Sequence, residues 1–296
     1  MKEKPFSKYQ ILANAVMIIW TLAIILPFIL LFMSSITDEN TLVANGYSFF
    51  PKKFSLASYS YIIKSGGQIL KAYGVSIGVT VVGTLLNVLL SALMAYPLSV
   101  KNLPGRNVMM FFVFFTMLFN GGIVPSYIMW TGTFHIKDTI FAQLLPNFLL
   151  SAWNVMMIRT YFTTSIPDGL YEAAEIDGAS QFTIFWKIVL PLGKPILVTM
   201  GTFAGLAYWN DWTNGLYYIV KNTGLYNVQN LLNQMVQNIQ FLTQRSNSNV
   251  TAAASTIPAT GIQMAIAFVA ILPIMLIFPS FQKYYAKGIA LGAVKG

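Results

Sequence analysis

Nine acids, eighteen lysines and arginines, one histidine and no cysteine are the charged and metal-binding groups that this 296-residue chain can bring to a reaction. The lack of cysteine removes disulfides and thiolate metal sites, and a lone histidine removes a histidine metal centre and a His-based triad. His135 falls in a short predicted loop and reads as a solvated loop residue. Two groupings remain. One is a run of four acids within ten positions, Asp168, Glu172, Glu175 and Asp177. The other is Asp211, the single acid inside a long apolar segment, beside Tyr208, Trp209, Asn210 and Trp212. A membrane-embedded enzyme would need a cluster of His, Asp or Glu, and the apolar segments supply none. Aromatic faces next to amide and carboxylate groups suit sugar binding instead, since sugar rings stack their CH faces on aromatics and offer hydroxyls to polar neighbours. No catalytic residue and no metal site is expected.

The elements that must hold these residues are membrane helices. Hydrophobic residues make up 56% of the chain, charged residues 9%, and mean hydropathy is +0.63, whereas a soluble domain carries about 25% charged residues. At about 20 apolar residues per crossing, the chain reads as six spans, near residues 11–36, 72–100, 107–131, 139–162, 195–220 and 256–281. They form one transmembrane domain over 1–296. The first run is too long for a signal-peptide core and is expected to be retained. The charge of +9 does not suggest nucleic acid, because the basic residues sit at the ends of apolar runs, where they anchor helices. The segments assigned inside hold 11 of the 18 basic residues, so both termini are expected in the cytoplasm. Residues 37–71 and 221–255 read as external polar loops, with Asp138 or Thr139 capping the fourth span.

The interruption at 163–194 has its own signals. Pro167 and Asp168 suit a first helical turn, and Gly178 suits a position of positive φ after a helix end. Ser180 can cap a second helix whose apolar face is Phe182, Phe185 and Trp186. Such a helix–turn–helix, acidic and apolar at once, either docks into a groove of another protein or rests on lipid.

Glu172-Ala173-Ala174, Asp177-Gly178-Ala179 and Ile188-Val189-Leu190-Pro191 resemble the EAA signature of ABC importer membrane subunits. The fuller form E-A-A-x-x-D-G-A resembles the carbohydrate uptake subfamily of maltose type. Phe281 to Gly296 is similar to the usual terminus of that subfamily. Phe119-Asn120-Gly121-Gly122-Ile123-Val124-Pro125 looks like its branch importing oligosaccharides or polysaccharide fragments in Gram-positive bacteria.

The resemblance implies a type I ABC importer permease fold, all-α, with a cytoplasmic coupling helix. It implies that Glu172, Ala173, Ala174, Asp177 and Gly178 meet an ATPase subunit, Glu172 through a basic partner and Gly178 through the turn it makes. It implies as partners a second, related permease subunit, two ATP-binding subunits that hold ATP and Mg, and an external sugar-binding protein. This chain itself would bind no cofactor and no nucleic acid, and would be no enzyme.

Asn120, Trp209, Asn210, Asp211 and Trp212 are the candidate substrate-pathway residues, with Asn147, Asn154 and Gln263 as further polar candidates. Three roles stay open for the Asp211 run: sugar contact, a structural or gating part, or an aromatic belt at the interface. A secondary transporter would need coupling-ion sites and repeats, and a membrane enzyme a cluster of His, Asp or Glu. Neither is visible. A non-sugar ABC cargo is the nearer alternative.

Overall fold

Apolar residues dominate three stretches, and each is one long helix in the computed structural model, which describes residues 8–64, 66–246 and 259–293. In chain order the helices are α1 (Lys8–Ser35), α2 (Glu39–Asn45), α3 (Ala57–Lys64), α4 (Gly66–Ser99) and α5 (Arg106–Leu118). Then come α6 (Ile123–Ile128), extended by a π-turn to Thr133, α7 (Phe141–Leu144), α8 (Ala152–Ser165) and α9 (Asp168–Ile176). Next, α10 (Gln181–Ile184) passes through a π-turn into α11 (Leu190–Leu192), followed by α12 (Lys194–Asn210) and α13 (Thr213–Tyr218). The last are α14 (Val228–Ser246) and α15 (Ala259–Ala293). No strand occurs among the described residues, only one antiparallel bridge between Thr37 and Phe54. The fold class is the expected all-α integral membrane one.

By length and composition α1, α4 and α15 can each cross a bilayer, and two bent helix pairs raise the number of candidate crossings to five. The stretch 107–131, read as one straight span, is two helices bent by 109°. The break is local chemistry: Asn120 Oδ1 accepts from the Gly122 N–H at 2.9 Å, and Gly122 takes φ 84°. The stretch 139–162 is a short α7, an irregular passage with Asn147 at φ 68°, and the 14-residue α8. The segment 195–220 is broken at Asp211 and Trp212 between α12 and α13.

Neither Asp138 nor Thr139 caps a helix. Thr139 Oγ1 donates to Ile136 O at 2.6 Å, and Asp138 serves another loop. The polar segment 221–255, read as a loop, contains α14, 19 residues long. Asn227 Oδ1 accepts from the Asn230 N–H at its start, and Leu231, Leu232, Met235 and Val236 recur at helical spacing.

The chain divides into two compact units, Met1–Ile69 with Leu232–Pro273 and Leu70–Leu231 with Ile274–Gly296. In the first, Phe32 and Phe268 pack at 4.9 Å between ring centroids, and Ser35 Oγ meets Tyr59 OH at 2.8 Å. Both Glu39 carboxylate oxygens accept at 2.8 Å, one from Thr260 N–H and one from Gly261 N–H, at the start of α15. A carboxylate there satisfies two orphan donors and meets the positive end of the helix dipole.

The second unit has as its main core Ala92, Tyr96, Leu98, Ile158, Phe162, Ala174, Ile184, Phe185 and Val189, drawn from α4, α8, α9, α10 and the π-turn. One close approach fixes it. A Cβ on Gly193 would lie 2.5 Å from a ring carbon of Phe162 and 2.9 Å from the Val189 carbonyl oxygen. Phe162 is fully buried and cannot swing aside. Gly193→Ala is therefore expected to destabilise the protein by about 1–3 kcal/mol through overpacking. Gly169→Ala, with open space around its Cβ, is expected not to. Thermal unfolding of the two variants in detergent checks this, and equal midpoints would refute it.

Candidate functional site

The 163–194 stretch folds as its residues require. Pro167, extended at φ −62° and ψ 136°, precedes α9, with Asp168 in the first turn. At the other end Gly178 takes φ 75°. Ala179 N–H donates to Ala174 O at 2.9 Å and Gly178 N–H to Glu175 O at 3.0 Å. These two bonds are the six-to-one and five-to-two pair of a Schellman end, which needs a left-handed residue in the Gly178 position. Ala179 and Ala174 meet in the same core, the apolar contact that accompanies such an end. Ser180 Oγ then accepts from Thr183 N–H at 3.2 Å and caps α10.

The loop is clamped to the helices beneath it. The Tyr96 ring packs on Phe185 at 5.4 Å and stacks on Tyr171 at 6.4 Å between centroids. Tyr96 OH donates to Gln181 Oε1, and Gln181 Nε2 donates to Glu175 Oε1 at 2.8 Å. Lys101, in the turn after α4, forms an ion pair with Asp168. Both partners are more than half exposed, so the pair joins the start of α9 to that turn while adding only about 0.2–1 kcal/mol. Burial raises the Tyr171 phenol above its ordinary value.

The five coupling candidates therefore divide. Glu172, Ala173, Asp177 and Gly178 face outward, and Ala174, 8% exposed, packs into the chain's own core. Of the four acids, Asp168 and Glu175 have partners within the chain, and Glu172 and Asp177 have none among the described residues. Ile176, 86% exposed, and Phe182 give the same surface an apolar component.

The pathway candidates divide too. Asn120 makes the α5–α6 bend described above. Trp209 is buried and packs on Tyr73 at 6.4 Å, whereas Asn210 and Trp212 are exposed. Asp211, 5% exposed, is bound up in structure. Its Oδ1 accepts from Thr213 N–H at 3.0 Å, Thr213 Oγ1 at 2.7 Å and Asn214 N–H at 3.2 Å, capping α13.

Around these breaks lies a set of buried amides that reading the sequence passed over. Gln143, Asn214, Asn87, Asn227 and Asn230 donate to the backbone carbonyls of Leu225, Pro146, Phe148, Asp211 and Trp212. Gln143 Nε2 also donates to Asn230 Oδ1, and Asn227 Nδ2 to Gln143 Oε1. Two of the polar candidates from the sequence join them, the exposed Asn147, whose Nδ2 donates to Asn214 Oδ1, and Asn154. Asn154 Nδ2 donates to Asn87 Oδ1 at 2.7 Å. Lipid offers no hydrogen bonds, so broken helices in a membrane protein must find donors internally. These amides are those donors. The density of Asn in 210–233 was the available signal.

On the loop between α6 and α7, Asp138 takes φ 58°, and its Oδ1 accepts from the N–H groups of Val220, Lys221 and Asn222 at 2.7, 2.7 and 3.2 Å. These bonds, that of Lys221 foremost, hold its carboxyl below the ordinary 3.8. A depressed pKa stabilises above the unfolded value and is lost as pH falls through the folded one. The 220–222 amides should thus stay protected at neutral pH and open only in acid below the ordinary carboxylate range. Asp138→Ala should open them at every pH. Hydrogen exchange of that segment is the check, and unchanged protection in the variant would contradict it. Exposed His135 also has positive φ, 52°. No group of three or more His, Cys, Asp or Glu that could hold a metal occurs among the described residues.

Long apolar helices and an internally hydrogen-bonded set of helix breaks define a multi-pass membrane protein. The chain belongs to the binding-protein-dependent transport system inner membrane component family, whose model matches residues 6–291. It is similar to Protein LplC of Bacillus subtilis (strain 168), 36% identical over 272 residues, 92% of this chain and 90% of that one. It is also similar to the polygalacturonan/rhamnogalacturonan transport system permease protein YtcP of the same organism, 36% identical over 288 residues, 97% and 98% of the two chains. Among solved structures it resembles a chain of a bacterial ABC transporter involved in import of the acidic polysaccharide alginate. The TM-score is 0.78 at 25% identity, covering 96% of this chain and 100% of that one. The expected type I ABC importer permease fold is thereby met, and the chain is a transport permease rather than an enzyme.

Proposed function

We propose that this chain is one of two permease subunits of an ATP-driven importer of oligosaccharides or polysaccharide fragments. The carrying observation is α9. It is fixed at both ends and pinned to α4 and the π-turn before α11, yet presents Glu172, Ala173, Ile176 and Asp177 outward. A rigid, acidic and partly apolar surface helix suits a groove on a second protein better than a lipid surface, which favours basic residues. Two ATP-binding subunits, carrying ATP and Mg, take that role, with Glu172 meeting a basic residue. A related permease subunit completes the pore, and an external sugar-binding protein delivers cargo. The whole chain works as one permease domain with both termini in the cytoplasm.

The relatives' polysaccharide cargoes support the substrate class, and the exposed Asn210 and Trp212 suit sugar hydroxyls and ring faces. Asn120, Trp209 and Asp211 belong to the pathway by shaping its walls. The terminal stretch from Phe281, similar to that of the subfamily, continues α15 to Ala293, and residues 294–296 lie outside the described ones.

The test is co-purification of the tagged protein from mild detergent, with ATPase activity assayed against added oligosaccharides and binding protein. An ATPase that co-purifies, and is lost in Glu172→Lys, is the expected result. A chain that purifies alone and moves solute in liposomes without ATP would overturn the reading.

A further inference from the structure

Two arginines near the α4–α5 turn have no acid to balance them. Arg106 is the first residue of α5, and its Nε is buried without a hydrogen-bond partner. Arg159, on α8, donates from Nε to Leu98 O at 3.2 Å at the end of α4. Helix α5, which Arg106 opens, packs against α8, which carries Arg159, so the two positive charges bear on each other. Asp168 is paired with Lys101, and no Asp or Glu among the described residues forms an ion pair with either arginine. Both side chains are partly exposed. Two guanidinium groups on packed helices with no counter-acid are costly, and the exposed parts of both side chains leave room for an anion from outside the chain.

Its chemistry is set by the surroundings. Guanidinium forks match phosphate oxygens two at a time. The turn joins two apolar helices, so it lies where a span meets the headgroup layer. One turn along α5, Val108, Met109, Phe111 and Phe112 are exposed and offer an apolar surface to acyl chains. We propose that Arg106 and Arg159 together bind the phosphate of an anionic phospholipid headgroup in the leaflet that the α4–α5 turn meets. The lipid then ties α5 to α8, beside the clamp that fixes α9. The site does not depend on which cargo the protein carries.

Lipid retention tests it. The full chain is incubated in detergent with phosphatidylglycerol or phosphatidylcholine and washed, and bound lipid is measured by mass spectrometry. Wild type, R106Q, R159Q and the double variant are compared. Phosphatidylglycerol should be held in preference, with retention falling about tenfold in the double variant and no displacement by excess inorganic phosphate. Retention unchanged in the double variant would remove the site. Displacement by inorganic phosphate would replace the lipid by a free anion and overturn the assignment. A readout that needs no variant stands beside it: phosphatidylglycerol, and not phosphatidylcholine, should raise the unfolding temperature of the wild type, and equal shifts from both lipids would refute the proposal.

Discussion

Gly178→Leu is expected to cut solute uptake per ATP hydrolysed by about five- to thirtyfold while the ATPase subunits remain bound. The cause is backbone geometry, since a Cβ at Gly178 meets nothing within 4 Å. At φ 75°, a side chain costs about 1–2 kcal/mol, and that is a factor of about 5–30 in the population of the turn. Relief comes from abandoning the left-handed conformation, and with it the bonds from Ala179 and Gly178 to Ala174 and Glu175. Helix α9 would then end differently, and its direction relative to the Tyr96 and Phe185 clamp would no longer be fixed. Movement imposed on Glu172 would be absorbed in the turn rather than passed to α4 and α8. Proteoliposomes reconstituted with ATPase and binding protein give the ratio of uptake to hydrolysis. Gly169→Ala, on the same helix with ordinary φ, is the control and should transport normally. An unchanged ratio in Gly178→Leu would show that the turn transmits nothing.

Asp211→Ala should lower stability by about 2–4 kcal/mol, which combines loss of a helix cap with unsatisfied buried donors. The carboxylate oxygen accepts three bonds at the start of α13, and Asn227 binds the Asp211 carbonyl at 2.7 Å. Asp211→Asn keeps an oxygen in the capping position and should lose much less. Trp212→Ala removes a side chain that is 43% exposed; it should leave the unfolding temperature near that of the wild type and reduce uptake. Thermal unfolding in detergent, paired with uptake, separates the two roles. If Asp211→Ala unfolds as the wild type does yet loses transport, the carboxylate is a sugar ligand rather than a cap.

The coupling stretch was legible because its signals are short-range. A proline before α9, a glycine after it and a serine before α10 each act within three or four residues, through φ restriction or a single capping bond. The packing of Ala174 was not legible. Ala173 and Ala174 are identical in type and adjacent, and only the direction in which α9 lies on Tyr96 and Phe185 sends one inward. The surroundings of the Asp211 run were not legible for a related reason. Trp209, Asn210, Asp211 and Trp212 read as one aromatic-polar patch on a continuous helix. Ending α12 at Asn210 turns successive residues to different surroundings.

By itself the sequence determined a polytopic membrane protein, the family through its EAA stretch, and the helix–turn–helix at 163–194. Composition, charge placement and local backbone preference do not depend on distant contacts. Tertiary structure alone decided where the expected spans break and what fills the breaks. Gln143 reaches Leu225 and Asn230, more than eighty residues away. Glu39 reaches the N–H groups of Thr260 and Gly261, more than two hundred away. An interrupted helix in an apolar medium survives only where such donors and acceptors converge, and their convergence is a property of the packed chain, not of any window along it.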